Sequence, residues 1–277
     1  MGLKCESIVA LSVVAFASGV LAGGTAGRDW SEIYFGTNPS VSPDGSFFVF
    51  EWKDRVWRAS SSGGTAVPLS DGTAVDGRPL VSPDGKKVAF LSDRWGTDEI
   101  FEMTLGADGI SVVGTRQVTF HTESLLPWSY TPDGKYIVAL AHRDDAAEVK
   151  GKRLSRRIVM VPMDRRGAER RVFDAPAFAP AVSPDGRRFL FTSVIEELGL
   201  EFRKRHDWSR TSYAGDIWLY DTDSGEFTRV VHRRENATSP IWTPDGTGFY
   251  YLCDAGGVRN VYCRSPTTLV KFANFTR

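Results

Sequence analysis

The chain has 277 residues, of which 42% are hydrophobic and 12% aromatic, and 34 basic residues balance 34 acidic ones. This composition is typical of a globular protein with one large core or two modest ones. A net charge of zero argues against a dedicated nucleic-acid-binding protein, which normally carries a basic excess. We therefore expect no nucleic-acid partner.

The first residues have the parts of a secretory signal peptide. Lys4 supplies a positive charge, residues 8–20 form a short apolar run, and Val20-Leu21-Ala22 offers small residues to a signal peptidase. The run is too short to span a bilayer comfortably, and an uncleaved signal anchor is the alternative. We predict that residues 1–22 are a signal peptide and that the mature protein is periplasmic or secreted, without a stable membrane span.

A Ser/Thr-Pro-Asp-Gly motif recurs along the rest of the chain. Proline presets φ at the first central position of a turn, while aspartate and glycine tolerate the conformation that follows. After each turn come a β-prone run, a second turn and another strand, and in most copies a third turn and an outer strand. This pattern predicts four antiparallel strands per repeat. The motif prolines are Pro43, Pro83, Pro132, Pro184 and Pro244.

The repeat period predicts the architecture. The motif spacings are 40, 49, 52 and 60 residues, and a serial four-stranded unit of about this length is typical of β-propeller blades. An array of immunoglobulin-like sandwiches is the alternative, but sandwich domains do not repeat one turn motif at this period. We predict an all-β propeller over residues 30–277 with five repeats. The expected second strands lie at residues 47–50, 87–90, 136–139, 189–191 and 249–251, the third strands at 56–57, 99–101, 158–160, 217–220 and 260–262, and outer strands at 116–120 and 227–231.

Two repeats carry insertions, and the two ends of the propeller raise a question of closure. Residues 143–157 and 196–215 separate the second and third strands of their repeats, and loops of this length are functional or mobile. Residues 31–35 read as an outer strand, and residues 269–277 resemble the lead-in to a further blade. Either five blades close on themselves, or the chain is an incomplete six-bladed ring. We expect the incomplete ring.

Catalytic and metal-binding patterns are not recognisable in the sequence. There is no Gly-x-Ser-x-Gly nucleophile elbow, and the aspartates of the turn motifs are interpreted as acceptors for their own backbone. We predict no catalytic residues, no metal and no cofactor. The four histidines are interpreted as loop or surface residues: His121, His142, His206 and His232.

Two cysteines remain after the signal peptide. Cys253 and Cys263 lie on consecutive predicted strands. A cross-strand disulfide between them is possible in an oxidising compartment, and two unpaired thiols are the alternative.

The longer features resemble one family of propellers. The Ser/Thr-Pro-Asp-Gly blade occurs in the Tol-system periplasmic propeller, in dipeptidyl-peptidase propellers and in tricorn proteases. The segments SDRWGTDEIFEM at residues 92–103, residues 117–148, and EFRKRHDWSRTSYAGDIWLYDTDSGEFTRVV at residues 201–231 are similar to the N-terminal propeller of tricorn-type serine proteases. In that family the first propeller has six blades, and the catalytic serine and histidine lie in a later domain.

The resemblance implies a role in proteolysis without catalysis by this chain. It implies the substrate-handling propeller of an exported serine peptidase, truncated before the protease domain, with peptides as partners. The alternative is a stand-alone periplasmic scaffold that binds a partner protein. Tricorn-type proteases hold a peptide's terminal carboxylate with propeller arginines, whose planar forks suit carboxylates. The candidates here are Arg156, Arg157, Arg203, Lys204 and Arg205.

Overall fold

The structure is a computed structural model that describes residues 36–120, 125–142, 156–164, 167–173, 177–193, 215–232, 235–265 and 269–271. The predicted signal peptide, the predicted strand at residues 31–35 and most of both insertions lie outside these residues. The chain forms two compact units, Met1–Phe120 and His121–Arg277. Each unit consists of four-stranded antiparallel sheets, here called blades and numbered in chain order.

The first unit contains blades 1 and 2. In each blade the four strands follow one another in chain order, and every neighbouring pair is antiparallel. Blade 1 consists of β1 (Thr37–Val41), β2 (Phe47–Trp52), β3 (Arg55–Ser60) and β4 (Val67–Pro68), and blade 2 of β5 (Asp76–Val81), β6 (Lys87–Ser92), β7 (Glu99–Leu105) and β8 (Val112–Gln117).

The second unit contains blades 3, 4 and 5, with the same strand order. A short 3₁₀ turn, Ala255–Gly257, lies between the second and third strands of blade 5. The strands are β9 (Leu125–Tyr130), β10 (Tyr136–His142), β11 (Arg156–Pro162) and β12 (Arg170–Arg171) in blade 3; β13 (Phe178–Val182), β14 (Arg188–Ser193), β15 (Asp216–Asp221) and β16 (Phe227–Val231) in blade 4; and β17 (Ala237–Trp242), β18 (Phe249–Cys253), β19 (Asn260–Arg264) and β20 (Leu269–Lys271) in blade 5.

These strands confirm the predicted all-β fold of five four-stranded blades, while the sixth blade stays a prediction. One predicted boundary was wrong: the outer strand expected at residues 116–120 is β8, which ends at Gln117. Beyond it, the N–H groups of Val118 and Thr119 both approach the Ile100 carbonyl oxygen, at 2.7 and 3.3 Å. This shared acceptor breaks the regular ladder, so the strand stops there.

The five Pro-Asp-Gly segments form one recurring turn. In blade 1 the Gly45 N–H donates to the Ser42 carbonyl (2.9 Å) and Gly45 has φ +69°, a conformation that favours glycine. The Asp44 carboxylate accepts hydrogen bonds from the Ser42 hydroxyl (2.6 Å) and the Ser46 N–H (3.0 Å). Each aspartate side chain therefore accepts hydrogen bonds within its own turn, as the sequence predicts. The same pair of bonds is made by Asp84, Asp133, Asp185 and Asp245.

These hydrogen bonds predict a loss of stability in acid. The hydrogen bonds to the carboxylate lower the pKa of Asp44 from 3.8 to about 2, and the bond from the Ser42 hydroxyl contributes most. Because the unfolded state binds the proton first, the contribution is complete above about pH 4 and is lost as the pH falls towards 2. We expect the urea midpoint to fall over this range, and the difference between wild type and Asp44→Asn to shrink with it. A difference that stays constant from pH 6 to pH 2.5 would contradict this explanation.

The hydrophobic core lies between the faces of successive blades within each unit. Phe189 and Phe191 of β14 pack with blade 3, whereas Leu190 between them packs with blade 5. Successive residues of a strand point to opposite faces, and a sheet covered on both faces has a continuous apolar strand rather than an alternating one. In the first unit the equivalent cluster joins Phe47 and Val49 of blade 1 to Phe90 of blade 2.

The first strands contain a recurring bulge before a proline. Four residues preceding prolines have positive φ, between 47° and 54°: Asn38, Arg78, Ala179 and Ser239. Side chains of the previous blade accept hydrogen bonds from two of these residues. The Arg78 N–H donates to Glu51 Oε2 and the Ser239 N–H donates to Thr192 Oγ1, each at 3.1 Å. Glu51 and Thr192 occupy the same register position in β2 and β14. A side chain of one blade thus fixes the strained first strand of the next.

Candidate functional site at the start of the third strands

Both insertions enter their blades at the start of the third strand. In blade 3 the second strand ends at His142 and the third begins at Arg156. In blade 4 the second strand ends at Ser193 and the third begins at Asp216. Both insertions therefore lie between the second and third strands as predicted, but the first was predicted two residues too long, because Arg156 and Arg157 belong to β11. The candidate residues Arg203, Lys204 and Arg205 lie within the second insertion, outside the described residues.

At or next to the start of each third strand, a polar residue occupies one common position. This residue precedes a buried aliphatic residue, which is Val56 in blade 1 and Ile100 in blade 2, and the strand registers align the remaining blades with these two. Loops at such strand ends commonly carry binding residues. The five residues at this position are Arg55, Glu99, Arg157, Asp216 and Asn260.

In blade 2 a buried carboxylate closes the end of the sheet. Glu99 is 3% exposed and accepts a hydrogen bond from the Thr119 hydroxyl. The same hydroxyl oxygen accepts the Ile100 N–H at 2.8 Å. In blade 1 the Ser70 hydroxyl accepts the Val56 N–H at 3.1 Å. A hydroxyl just beyond the outer strand therefore satisfies the third strand's N–H in both blades.

A buried ion pair supports the turn between β6 and β7. Asp76 is fully buried, and its two carboxylate oxygens accept bonds from Arg94 Nη2 at 3.0 and 3.1 Å. Arg94 Nε donates to Ser92 Oγ at 2.9 Å, and the guanidinium stacks over the Phe90 and Phe101 rings at 5.2 and 4.8 Å. The pair therefore combines charge, hydrogen bonding and aromatic contact.

In blade 4 a histidine takes the place of the hydroxyl. His232 follows the outer strand as Thr119 does, and its Nδ1 lies 2.9 Å from Asp216 Oδ2. The Asp216 side chain is 2% exposed, and Arg229 Nη1 lies 3.6 Å from the same oxygen. His232 is half exposed, in agreement with the predicted surface position, but it is also paired with a buried carboxylate, which the sequence-based prediction did not identify. Aligning the residues after each outer strand would have revealed this position in the sequence.

The blade 4 cluster does not have the geometry of a serine-type triad. Ser193 is opposite Asp216 in the β14–β15 register, so the carboxylate stands between the serine and the histidine. A triad requires the imidazole in the middle, where it can take the serine proton. Blade 2 has the same order with Thr119 in place of the histidine, so the arrangement closes a strand end rather than activating a nucleophile.

Two candidate arginines lie next to the first insertion. Arg156 and Arg157 are the first residues of β11 and pair in backbone register with His142 and Ala141. The Arg157 side chain is half-buried. Both arginines therefore lie at the start of the third strand of blade 3.

The cross-strand disulfide that the sequence left open is not formed in the structure. Cys253 is opposite Asn260 and Cys263 is opposite Tyr250 in the β18–β19 register. Tyr250 and Cys253 are three positions apart on one strand, so the two cysteines project to opposite faces of the sheet. Their burial agrees, because Cys253 belongs to the core and Cys263 is half-buried. The two thiols cannot meet without a shift of the register.

The described ranges contain neither a metal-binding cluster nor a membrane-spanning helix. Within these ranges, histidine, cysteine, aspartate and glutamate side chains do not gather in groups of three or more that could hold a metal ion. Nor does a helix in the same part of the chain have the length and apolar character needed to cross a membrane.

Comparison with known proteins relates these blades to peptidase propellers. Tricorn protease homolog 1 of Streptomyces coelicolor is 25% identical over 225 residues, which cover 79% of this chain and 19% of the homolog. A TolB-like protein of Agrobacterium tumefaciens has a TM-score of 0.63 at 20% identity, covering 86% of this chain and 80% of that one. The tricorn protease crystal structure has a TM-score of 0.62 at 19% identity, covering 87% of this chain and 22% of that one.

These structural likenesses show the β-propeller fold, and the family follows from the sequence. The chain spans about a fifth of the length of the Streptomyces relative, 19%. The family model described as the tricorn protease N-terminal beta propeller domain matches residues 34–276. Since this match covers most of the 277 residues, the chain belongs to the tricorn protease N-terminal β-propeller family.

Proposed function

We propose that this chain is the substrate-handling propeller of an exported tricorn-like serine peptidase. It admits or positions peptides, and the protease domain that cleaves them lies beyond this sequence. The observation that carries the proposal is the family match over residues 34–276. The 19% coverage of the Streptomyces relative is consistent with a larger parent protein. The sequence of residues 1–22 supports export.

The peptide's C-terminal carboxylate is proposed to bind at the start of the third strands. Arg156 and Arg157 begin β11 where the first insertion joins it. Arg203, Lys204 and Arg205 belong to the second insertion, which leads to the same position in blade 4. A guanidinium can donate two parallel hydrogen bonds to a carboxylate, which gives both charge and direction.

We expect a free peptide carboxylate to strengthen binding about tenfold relative to an amidated terminus, because charge-assisted hydrogen bonds contribute about 1.5–3 kcal/mol. The measurement is fluorescence anisotropy of labelled peptides that differ in this group alone. The double variant Arg156→Ala/Arg157→Ala should remove the preference.

The matched control is Arg170→Ala/Arg171→Ala, which removes two exposed arginines from the outer strand of the same blade. This control should keep the preference for a free carboxylate. Equal binding of both peptides, or a preference unchanged by Arg156→Ala/Arg157→Ala, would exclude these arginines as the carboxylate site. A chain that binds a partner protein but no peptide would instead favour a stand-alone scaffold.

A further inference from the structure

Trp95 presents an exposed aromatic ring in the turn between β6 and β7. Its side chain is 69% exposed. The ring is in edge-to-face contact with Phe101, at 5.3 Å between the ring centroids. The turn is closed by the Gly96 N–H, which donates to the Asp93 carbonyl at 2.7 Å. A ring held in this way loses little conformational entropy when it binds a ligand.

The face of this ring is not used by the cation next to it. The Arg94 guanidinium stacks on Phe90 and Phe101 and is held by Asp76. No cation lies over the Trp95 ring in the described part of the chain. An indole face is the best of the aromatic surfaces for binding an ammonium or guanidinium group.

In blade 1 a tryptophan ring already has a lysine ammonium group over its face. Trp52, the last residue of β2 before the turn to β3, is in edge contact with Trp57 at 5.2 Å. The Lys53 Nζ atom lies over the Trp52 ring, 4.3 Å from its centroid. Both blades of this unit therefore have a tryptophan between the second and third strands or at the end of the second, and in blade 1 a lysine of the same chain lies over its ring.

The charges around the Trp95 turn favour a cation. The one positive charge in the turn, on Arg94, is neutralised by the buried Asp76. Asp98 is exposed three residues beyond Trp95. The Asp93 carboxylate accepts the Val75 N–H at 2.9 Å. Asp93 and Asp98 therefore leave a surplus of negative charge in this turn.

We propose that Trp95 binds a lysine or arginine side chain of the handled peptide, with the ring face contacting the cation and Asp93 and Asp98 supplying the surrounding negative charge. This inference rests on the proposed peptide-handling function and adds a residue class to it: peptides with a basic side chain are preferred. The site lies within the first unit and includes none of the arginines proposed for the peptide carboxylate.

The test compares two labelled peptides with the same free carboxylate, one with a central arginine and one with citrulline, which keeps the shape and removes the charge. We expect the arginine peptide to bind the full chain about threefold more tightly in low salt. Trp95→Ala should abolish this difference, and Trp95→Phe should retain part of it. Asp98→Asn should reduce both the difference and its dependence on salt.

Val113→Ala is the control, because Val113 is equally exposed, at 68%, on the outer strand of the same blade. It should leave the preference for arginine unchanged. Equal affinity for both peptides, or a preference that survives Trp95→Ala, would overturn this site while leaving the peptide-handling function in place. Failure to bind either peptide would contradict the function and the site together. Circular dichroism of each variant verifies the fold.

Discussion

Replacing Asp76 with alanine is expected to lower the free energy of unfolding by about 3 kcal/mol, because the substitution leaves a charged partner in a largely buried site. Asp76 is fully buried, and the Arg94 side chain is 19% exposed. Without the carboxylate, the guanidinium loses two hydrogen bonds but remains stacked on the Phe90 and Phe101 rings. Urea unfolding followed by circular dichroism measures the loss.

Two further variants separate charge from packing. Arg187→Ala removes an ion pair whose side chains are 68% and 65% exposed, and it should cost less than about 0.5 kcal/mol. The double variant Asp76→Ala/Arg94→Met should recover part of the lost stability, since it removes the uncompensated charge and keeps an apolar stem. A double variant no more stable than Asp76→Ala would show that the lost charge pairing is not the cause.

The blade architecture could be predicted because it depends on local signals repeated along the chain. Each Pro-Asp-Gly turn is built within six residues. In blade 1 the Ser42 carbonyl accepts the Gly45 N–H, and the Ser42 hydroxyl oxygen accepts the Phe47 N–H. The apolar runs after the turns, such as residues 189–191, are continuous because each faces two neighbouring blades. Turn chemistry and strand pattern thus indicate the same fold in every repeat.

The partners at the strand ends could not be predicted in the same way. The Asp76–Arg94 pair spans 18 residues and the Asp216–His232 pair spans 16. Each depends on the register of strands that the sequence leaves open. The cysteines illustrate this point: their ten-residue spacing allows a cross-strand disulfide, but the register of β18 and β19 places them on opposite faces.

The bulges in the first strands contradict a local rule and are stabilised by tertiary contacts. A residue before proline normally adopts an extended conformation, yet Arg78 has φ +48° and Ser239 has φ +54°. Their N–H groups are bound by Glu51 and Thr192 of the preceding blade. Gly77 allows this approach, because a Cβ atom there would lie 2.7 Å from Glu51 Oε2. Contacts between successive blades therefore outweigh the local backbone preference at these two residues.

Replacing Phe191 with alanine is expected to destabilise the protein by about 4 kcal/mol, through lost hydrophobic burial and the cavity that remains. Phe191 is 1% exposed, and its ring centroid lies 4.7 Å from that of Phe173 and 6.2 Å from that of Phe227. The substitution opens the core between blades 3 and 4. The measurement is the free energy of unfolding in urea.

Leu190→Ala makes this prediction a test of the architecture. Leu190 is fully buried on the opposite face of β14, against blade 5, so its removal should cost about 3 kcal/mol. A sheet with one solvent-facing side would tolerate one of the two substitutions, whereas a blade between two neighbours tolerates neither. Val113→Ala, at a site that is 68% exposed, should change stability by less than about 0.5 kcal/mol. If either core variant also falls within that range, blade 4 is not covered on both faces.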